Sequence, residues 1–137
     1  MWWIYAILSA VFAALTAIFA KIGIKDVDTN LATAIRTVII LILAWGIVLF
    51  KGGISGINTL HKTNWIFLII SGLATGLSWI FYFKALQNGK VSQVAPVDKL
   101  SVAIVIVLSV IFLKEPLTFK NALGAVLIIG GSLVMIL

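Results

Sequence analysis

Arg36, Asp98 and Lys99 are charged residues that fall inside long apolar stretches of the chain. A charge at such depth costs a few kcal/mol unless it snorkels, pairs or meets water, so each is a functional candidate by default. Arg36 sits about two turns into its apolar stretch. Its two accounts are snorkelling to the nearby surface, or facing a watered cavity and pairing with an acid. Asp98 and Lys99 follow Pro96 directly. Neighbours on a helix point about 100° apart and do not face each other. Asp98 heads a stripe with Ser101, Val105 and Ser109, and its expected mates are Arg36 or Lys99. Side chains of this kind bind a solute charge or carry a coupling proton; the bland reading is a structural salt bridge.

A second group is polar but uncharged. Ser71, Thr75, Ser78 and Tyr82 are spaced by four, three and four, which puts them on one helical face with Trp79 beside it. A row of hydroxyls facing lipid has no use, so the face turns to another helix or to a cavity. Trp79 and Tyr82 equally suit an interfacial aromatic belt. Gly72 and Gly76 form a GxxxG pair on an adjoining stripe, a spacing that lets two helix backbones approach closely.

These residues need elements to hold them. The 137 residues are 63% hydrophobic and 10% charged. Soluble domains average about 45–50% apolar and about 25% charged, so this composition is that of a membrane protein. A bilayer core takes about 20 apolar residues in a helix. Five segments reach that length, at about residues 2–20, 31–50, 65–83, 94–113 and 119–137. Barrel strands are about 10 residues long and alternate, so these are helices, and the expected fold is an all-α integral membrane protein of one domain. The first segment lacks a basic n-region and is too long for a signal peptide's core; it reads as an uncleaved membrane helix.

Local punctuation agrees with those spans. Asp28 or Thr29 suits an N-cap for the second helix, and Thr118 suits one for the fifth. Pro96 fits the first turn of the fourth helix or a break in its ladder. Pro116 stops that helix at its other end. Gly124 and Gly131 mark the last span as a packing helix. The first span carries small residues from Ser9 to Ala20 at spacings of three and four, which read as packing with some chance of lining a path.

Composition also removes function classes. The formal charge is +6, but the lysines sit at span ends, where they anchor helices, and not along one face. Nucleic acid is therefore not expected as a partner. One histidine and no cysteine leave no metal set, and His61 falls in a loop away from any nucleophile. There is no nucleotide-binding motif. The expectation is a protein that is not an enzyme and has no cofactor. Lysines are nearly balanced across the membrane: Lys51, Lys62, Lys114 and Lys120 on one side, Lys21, Lys25, Lys84 and Lys90 on the other. Arg36 and Lys99 tilt the second side toward the cytoplasm only weakly. A chain with so even a count can insert both ways, and two opposed copies would form the two-chain version of an inverted repeat.

The second half carries a more specific signal. Ala85-Leu86, Gly89, Ser92-Gln93-Val94-Ala95-Pro96, then Lys114-Glu115-Pro116-Leu117-Thr118 with Asn121, Gly124 and Gly130-Gly131 resemble the EamA domain of the drug/metabolite transporter superfamily. Two departures stand out. Lys114 replaces the family's glycine before the glutamate, and Val97-Asp98-Lys99 replaces its leucine after the proline. The resemblance implies one half of a ten-helix inverted-repeat fold, similar to short five-helix bacterial and archaeal transporters. It implies transport of small metabolites or drug-like solutes, commonly outward. It offers no catalytic signature to carry over.

Together these readings predict a gradient-driven transporter of a small polar or zwitterionic solute in the cell membrane, acting as a homodimer by alternating access. Its cavity candidates are Arg36, Thr75, Ser78, Trp79, Tyr82, Asp98, Lys99 and Ser101. The alternative is a non-transporting scaffold or a subunit of a hetero-oligomer, in which the glycine and alanine faces only pack against a partner.

Overall fold

The computed structural model describes all 137 residues. Its helices are α1 (Trp2–Gly23), α2 (Thr29–Phe50), α3 (Lys62–Asn88), α4 (Val91–Asp98), α5 (Leu100–Phe112) and α6 (Phe119–Ile136). A short 3-10 helix, Gly53–Thr59, occupies the loop after α2. Five stretches are long and apolar enough to cross a bilayer, α4 and α5 together forming the fourth, Val91–Phe112. The protein is an all-helical membrane protein.

The helix ends follow from side-chain chemistry. Asp28 caps α2, its Oδ1 accepting the Leu31 N–H at 2.9 Å. Thr118 caps α6, its Oγ1 accepting the Asn121 N–H at 3.2 Å. Each cap satisfies one of the backbone donors that a helix leaves free at its start. Past the end of α5 the chain turns through Lys114 at φ 55°, and the Ser109 carbonyl accepts the N–H groups of both Leu113 and Glu115. That left-handed position is where the EamA pattern has glycine. A lysine there carries a Cβ penalty that glycine escapes.

The chain divides into two compact units. One comprises Met1–Phe19 and Asn88–Leu137, the other Ala20–Gln87. In the first, α6 lies against both α4 and α5. The link is a buried hydroxyl: Ser132 Oγ donates to the Pro96 carbonyl at 2.9 Å. In the second, the connection between α1 and α2 is tied to the end of α3. Lys21 Nζ donates to the Leu86 carbonyl, and Gln87 Nε2 donates to the Val27 carbonyl at 2.9 Å. Lys21 thereby places its charge at the negative end of the α3 dipole, where cations are stabilising.

Few side chains are buried. The apolar ones are Ala17, Ala20, Ile24, Phe83, Leu86 and Ala103, while most Leu, Ile, Val and Phe side chains face outward. In water such a surface would aggregate. In hydrocarbon it is the solvent-facing surface the bilayer requires, because lipid tails are as apolar as leucine.

Of the two places open to Pro96, the first turn of its helix is not the one it takes: α4 starts at Val91 with Lys90 as N-cap, and the proline lies inside the helix, shortly before the break between α4 and α5. The glycines read as helix-packing residues have open surroundings: a Cβ built at Gly72, Gly76, Gly124 or Gly131 meets nothing within 4 Å.

Candidate functional site

Arg36 is positioned by α2. Thr29, Thr33 and Arg36 are spaced by four and three and share a face, and both threonines are buried. Thr33 Oγ1 donates to the Thr29 carbonyl at 2.7 Å, and Thr37 Oγ1 to the Thr33 carbonyl at 2.8 Å. The hydroxyls are thus spent on their own helix, as threonines in helices often are. That leaves the guanidinium as the face's one strong polar group.

Across from it, α3 presents Trp79 and Phe83, one turn apart. Arg36 Cζ lies 5.4 Å from the centroid of the Trp79 ring and 4.4 Å from that of Phe83. Both distances are inside the about 6 Å within which a cation is attracted to an aromatic face. Phe83 is completely buried, which fixes its ring. Tyr82 packs beside it with ring centroids 6.0 Å apart, tilted by 51°, and interacts electrostatically with Arg36. The Arg36 Nη1 is buried and has no hydrogen-bond partner, and the guanidinium makes no salt bridge. Of the partners its depth left open, Arg36 lies against aromatic rings and pairs with no acid.

The same helix holds the hydroxyl face, but that face does not join the Arg36 group. Thr75 and Ser78 are exposed, and Thr75 Oγ1 donates to the Ser71 carbonyl at 2.9 Å. Of the α3 candidates, Trp79 and Tyr82 come to Arg36, while Thr75 and Ser78 are exposed.

The second polar group is at the break between α4 and α5. Pro96 has no N–H to give its own helix, and the Pro96 carbonyl takes the Lys99 N–H at 3.0 Å instead of one residue further on. The Lys99 carbonyl in turn accepts the Val102 N–H at 3.0 Å. The α-helical ladder is interrupted at Lys99, past the proline, between α4 and α5. Lys99 Nζ then reaches Asp98 Oδ2 at 3.4 Å, with the two side chains 56% and 37% exposed. Adjacent residues were expected not to face each other, a rule that assumes an unbroken helix. At the break it no longer holds, and Lys99 is the mate Asp98 finds. Ser101, one turn on, is exposed.

Three participants were not singled out by the sequence. Phe83 read only as the apolar end of a span, although its spacing of four from Trp79 would have flagged it. Thr33 is a β-branched residue in a helix with no local sign of burial. Ser132 is a lone hydroxyl in an apolar segment, and only the fold supplies its partner.

Comparisons with known proteins bear on the family of the chain. The profile of the EamA-like transporter family matches residues 1–137. An uncharacterized transporter in the cobO 3' region of Sinorhizobium sp. is 46% identical over 134 residues, covering 98% of this chain and 95% of the relative. An uncharacterized protein of Methanocaldococcus jannaschii is 38% identical over 69 residues, half of each chain. No solved structure matches. With a family profile running from the first residue to the last and a transporter-named relative aligned over nearly its full length, the chain belongs to the EamA-like transporter family.

Proposed function

We propose that the 137 residues form one membrane domain that works as a homodimer and moves a small polar or zwitterionic solute across the cell membrane, driven by a gradient. The observation that carries this reading is Arg36: a cation in an apolar helix, held against Trp79 and Phe83, with a buried nitrogen that has no partner. A charge so placed in a transporter-family chain serves a solute path better than it serves stability.

Homodimerisation is supported by what one chain leaves open. Gly72 and Gly76 are bare on α3, and the hydroxyls of Thr75 and Ser78 are exposed on the same helix. In a dimer those hydroxyls gain a watered path to line. With opposed copies, rocking of one against the other would expose the path to each side in turn. Asp98 and Lys99 contribute exchangeable charges at the broken fourth span, with Ser101 beside them. Discontinuous helices of this sort supply free backbone groups and charges to transporter sites.

The test is water access. The chain has no cysteine, so Ser78→Cys and Ser101→Cys each introduce one thiol. In the dimer in lipid both should react with a membrane-impermeant thiol reagent. Silence at both positions would mean that these faces meet lipid or a packed partner, and the protein would then be a scaffold.

A further inference from the structure

We infer that Arg36 is the binding site for an anionic group of the solute, a carboxylate or a phosphate, and that Trp79 and Phe83 set its orientation. The inference deepens the transporter reading and rests on it.

A guanidinium is planar. Its faces suit aromatic rings, and its five N–H donors lie in the plane and point outward from the edge. Here the ring contacts are made, at 5.4 Å to Trp79 and 4.4 Å to Phe83. The in-plane Nη1 is buried with no hydrogen-bond partner. Buried polar groups in native proteins are nearly always bonded, so a lone exception calls for a ligand. The four carboxylates of the chain are Asp26, Asp28, Asp98 and Glu115. None forms an ion pair with Arg36. An oxyanion fits the edge because two parallel N–H···O bonds match its geometry.

Orientation comes from the shell. Phe83 is fully buried, and Thr29 and Thr33 on the Arg36 face of α2 have turned their hydroxyls back onto the helix. None of them competes for the guanidinium edge. The Trp79 and Phe83 rings are already engaged by the guanidinium, which repels a cationic solute. A headgroup phosphate of a lipid offers the same chemistry as a solute anion, and the experiment must separate the two.

Trp79 is the reporter. Replacing Trp2, Trp3, Trp45 and Trp65 by Phe leaves it as the single tryptophan. Its fluorescence is quenched by iodide, caesium and acrylamide, first in a non-ionic detergent, then in phosphatidylcholine nanodiscs. An anion site predicts an iodide quenching constant about tenfold above that of caesium, the scale of a charge-assisted contact. Acetate and inorganic phosphate should suppress the iodide effect saturably. Arg36→Gln should bring iodide down to the caesium level with acrylamide unchanged. Arg36→Lys should keep the iodide preference but lose most of the acetate effect, because an ammonium lacks the planar fork.

Equal quenching by iodide and caesium while acrylamide still works would overturn the anion site and leave the transporter reading intact. Silence of all three quenchers would overturn both, since no water would then reach Trp79. An iodide preference seen in detergent but abolished in phosphatidylcholine would assign the site to a headgroup phosphate and overturn the solute assignment. Should Arg36→Gln fail to fold, acetate competition on the single-tryptophan protein decides the question alone.

Discussion

The contact between Arg36 and Phe83 makes a quantitative prediction that does not depend on any solute. A cation over an aromatic ring is worth about 0.5–1 kcal/mol when exposed and about 2 kcal/mol when desolvated. The Arg36 guanidinium carbon is 4.4 Å above a Phe83 ring that is 0% exposed, while Arg36 itself is half-buried. The coupling should then lie near the middle, at about 1–1.5 kcal/mol. Phe83→Leu removes the ring but keeps most of the apolar volume, adding up to about 1.5 kcal/mol of repacking cost. The total for that variant is about 1–3 kcal/mol. Arg36→Met removes the charge at similar length. A double-mutant cycle over Phe83→Leu and Arg36→Met, read by reversible unfolding in mixed micelles, isolates the pair. A coupling below about 0.3 kcal/mol, the usual error for independent sites, would show that the arginine gains nothing from the ring, and the physical basis for placing Arg36 here would be gone.

Further outcomes follow from other parts of the chain. Lys114→Gly should raise stability by about 0.5–1 kcal/mol, because relief of a left-handed lysine at φ 55° outweighs glycine's added unfolded-state freedom; an unchanged midpoint in the same unfolding assay would argue against strain at that turn. Ser132→Ala should cost only about 0.6 kcal/mol, typical of a hydrogen bond between membrane helices, since the Pro96 carbonyl keeps the Lys99 N–H; a loss of several kcal/mol would mean that this bond holds the break together. Gly76→Leu should leave helix content unchanged, as nothing in the chain lies within 4 Å of its Cβ, and should lower the crosslinked dimer fraction; an undiminished dimer would place the interface elsewhere. Asp98→Asn should abolish solute uptake into proteoliposomes with the fold intact, and full uptake would remove Asp98 from the path.

What could be read in the sequence was whatever depends on neighbours along the chain. The five spans follow from apolar length, and the caps at Asp28 and Thr118 follow from local side-chain reach. The EamA resemblance rested on loop residues such as Glu115 and Pro116, whose separations are set by the same local geometry. The rest depended on distant contacts or on departures from regular helix. Arg36 had two expected accounts, snorkelling to the surface or pairing with an acid; in the structure its guanidinium lies against the Trp79 and Phe83 rings of α3, a contact between distant residues that spacing does not show. Asp98 had Arg36 or Lys99 as its expected mates, and it takes Lys99, which the break after Asp98 brings within 3.4 Å although neighbours on an unbroken helix do not face each other. The glycine stripes were legible as close-packing motifs, but spacing alone does not say which helix would cover them. Thr75 and Ser78 show the same limit: period placed them on one face, and only a partner can say what that face meets.

A path completed by an opposed copy of the same chain has a direct consequence for topology. Single cysteines are placed next to Met1 and Leu137, the crosslinked dimer is reconstituted in sealed vesicles, and label is added from the outside only. In an opposed dimer both termini label in one population, each in part of the molecules, since five spans put the two ends of one chain on opposite sides. Labelling of one terminus alone, to completion, would contradict it and would mean a single orientation, in which two copies run parallel.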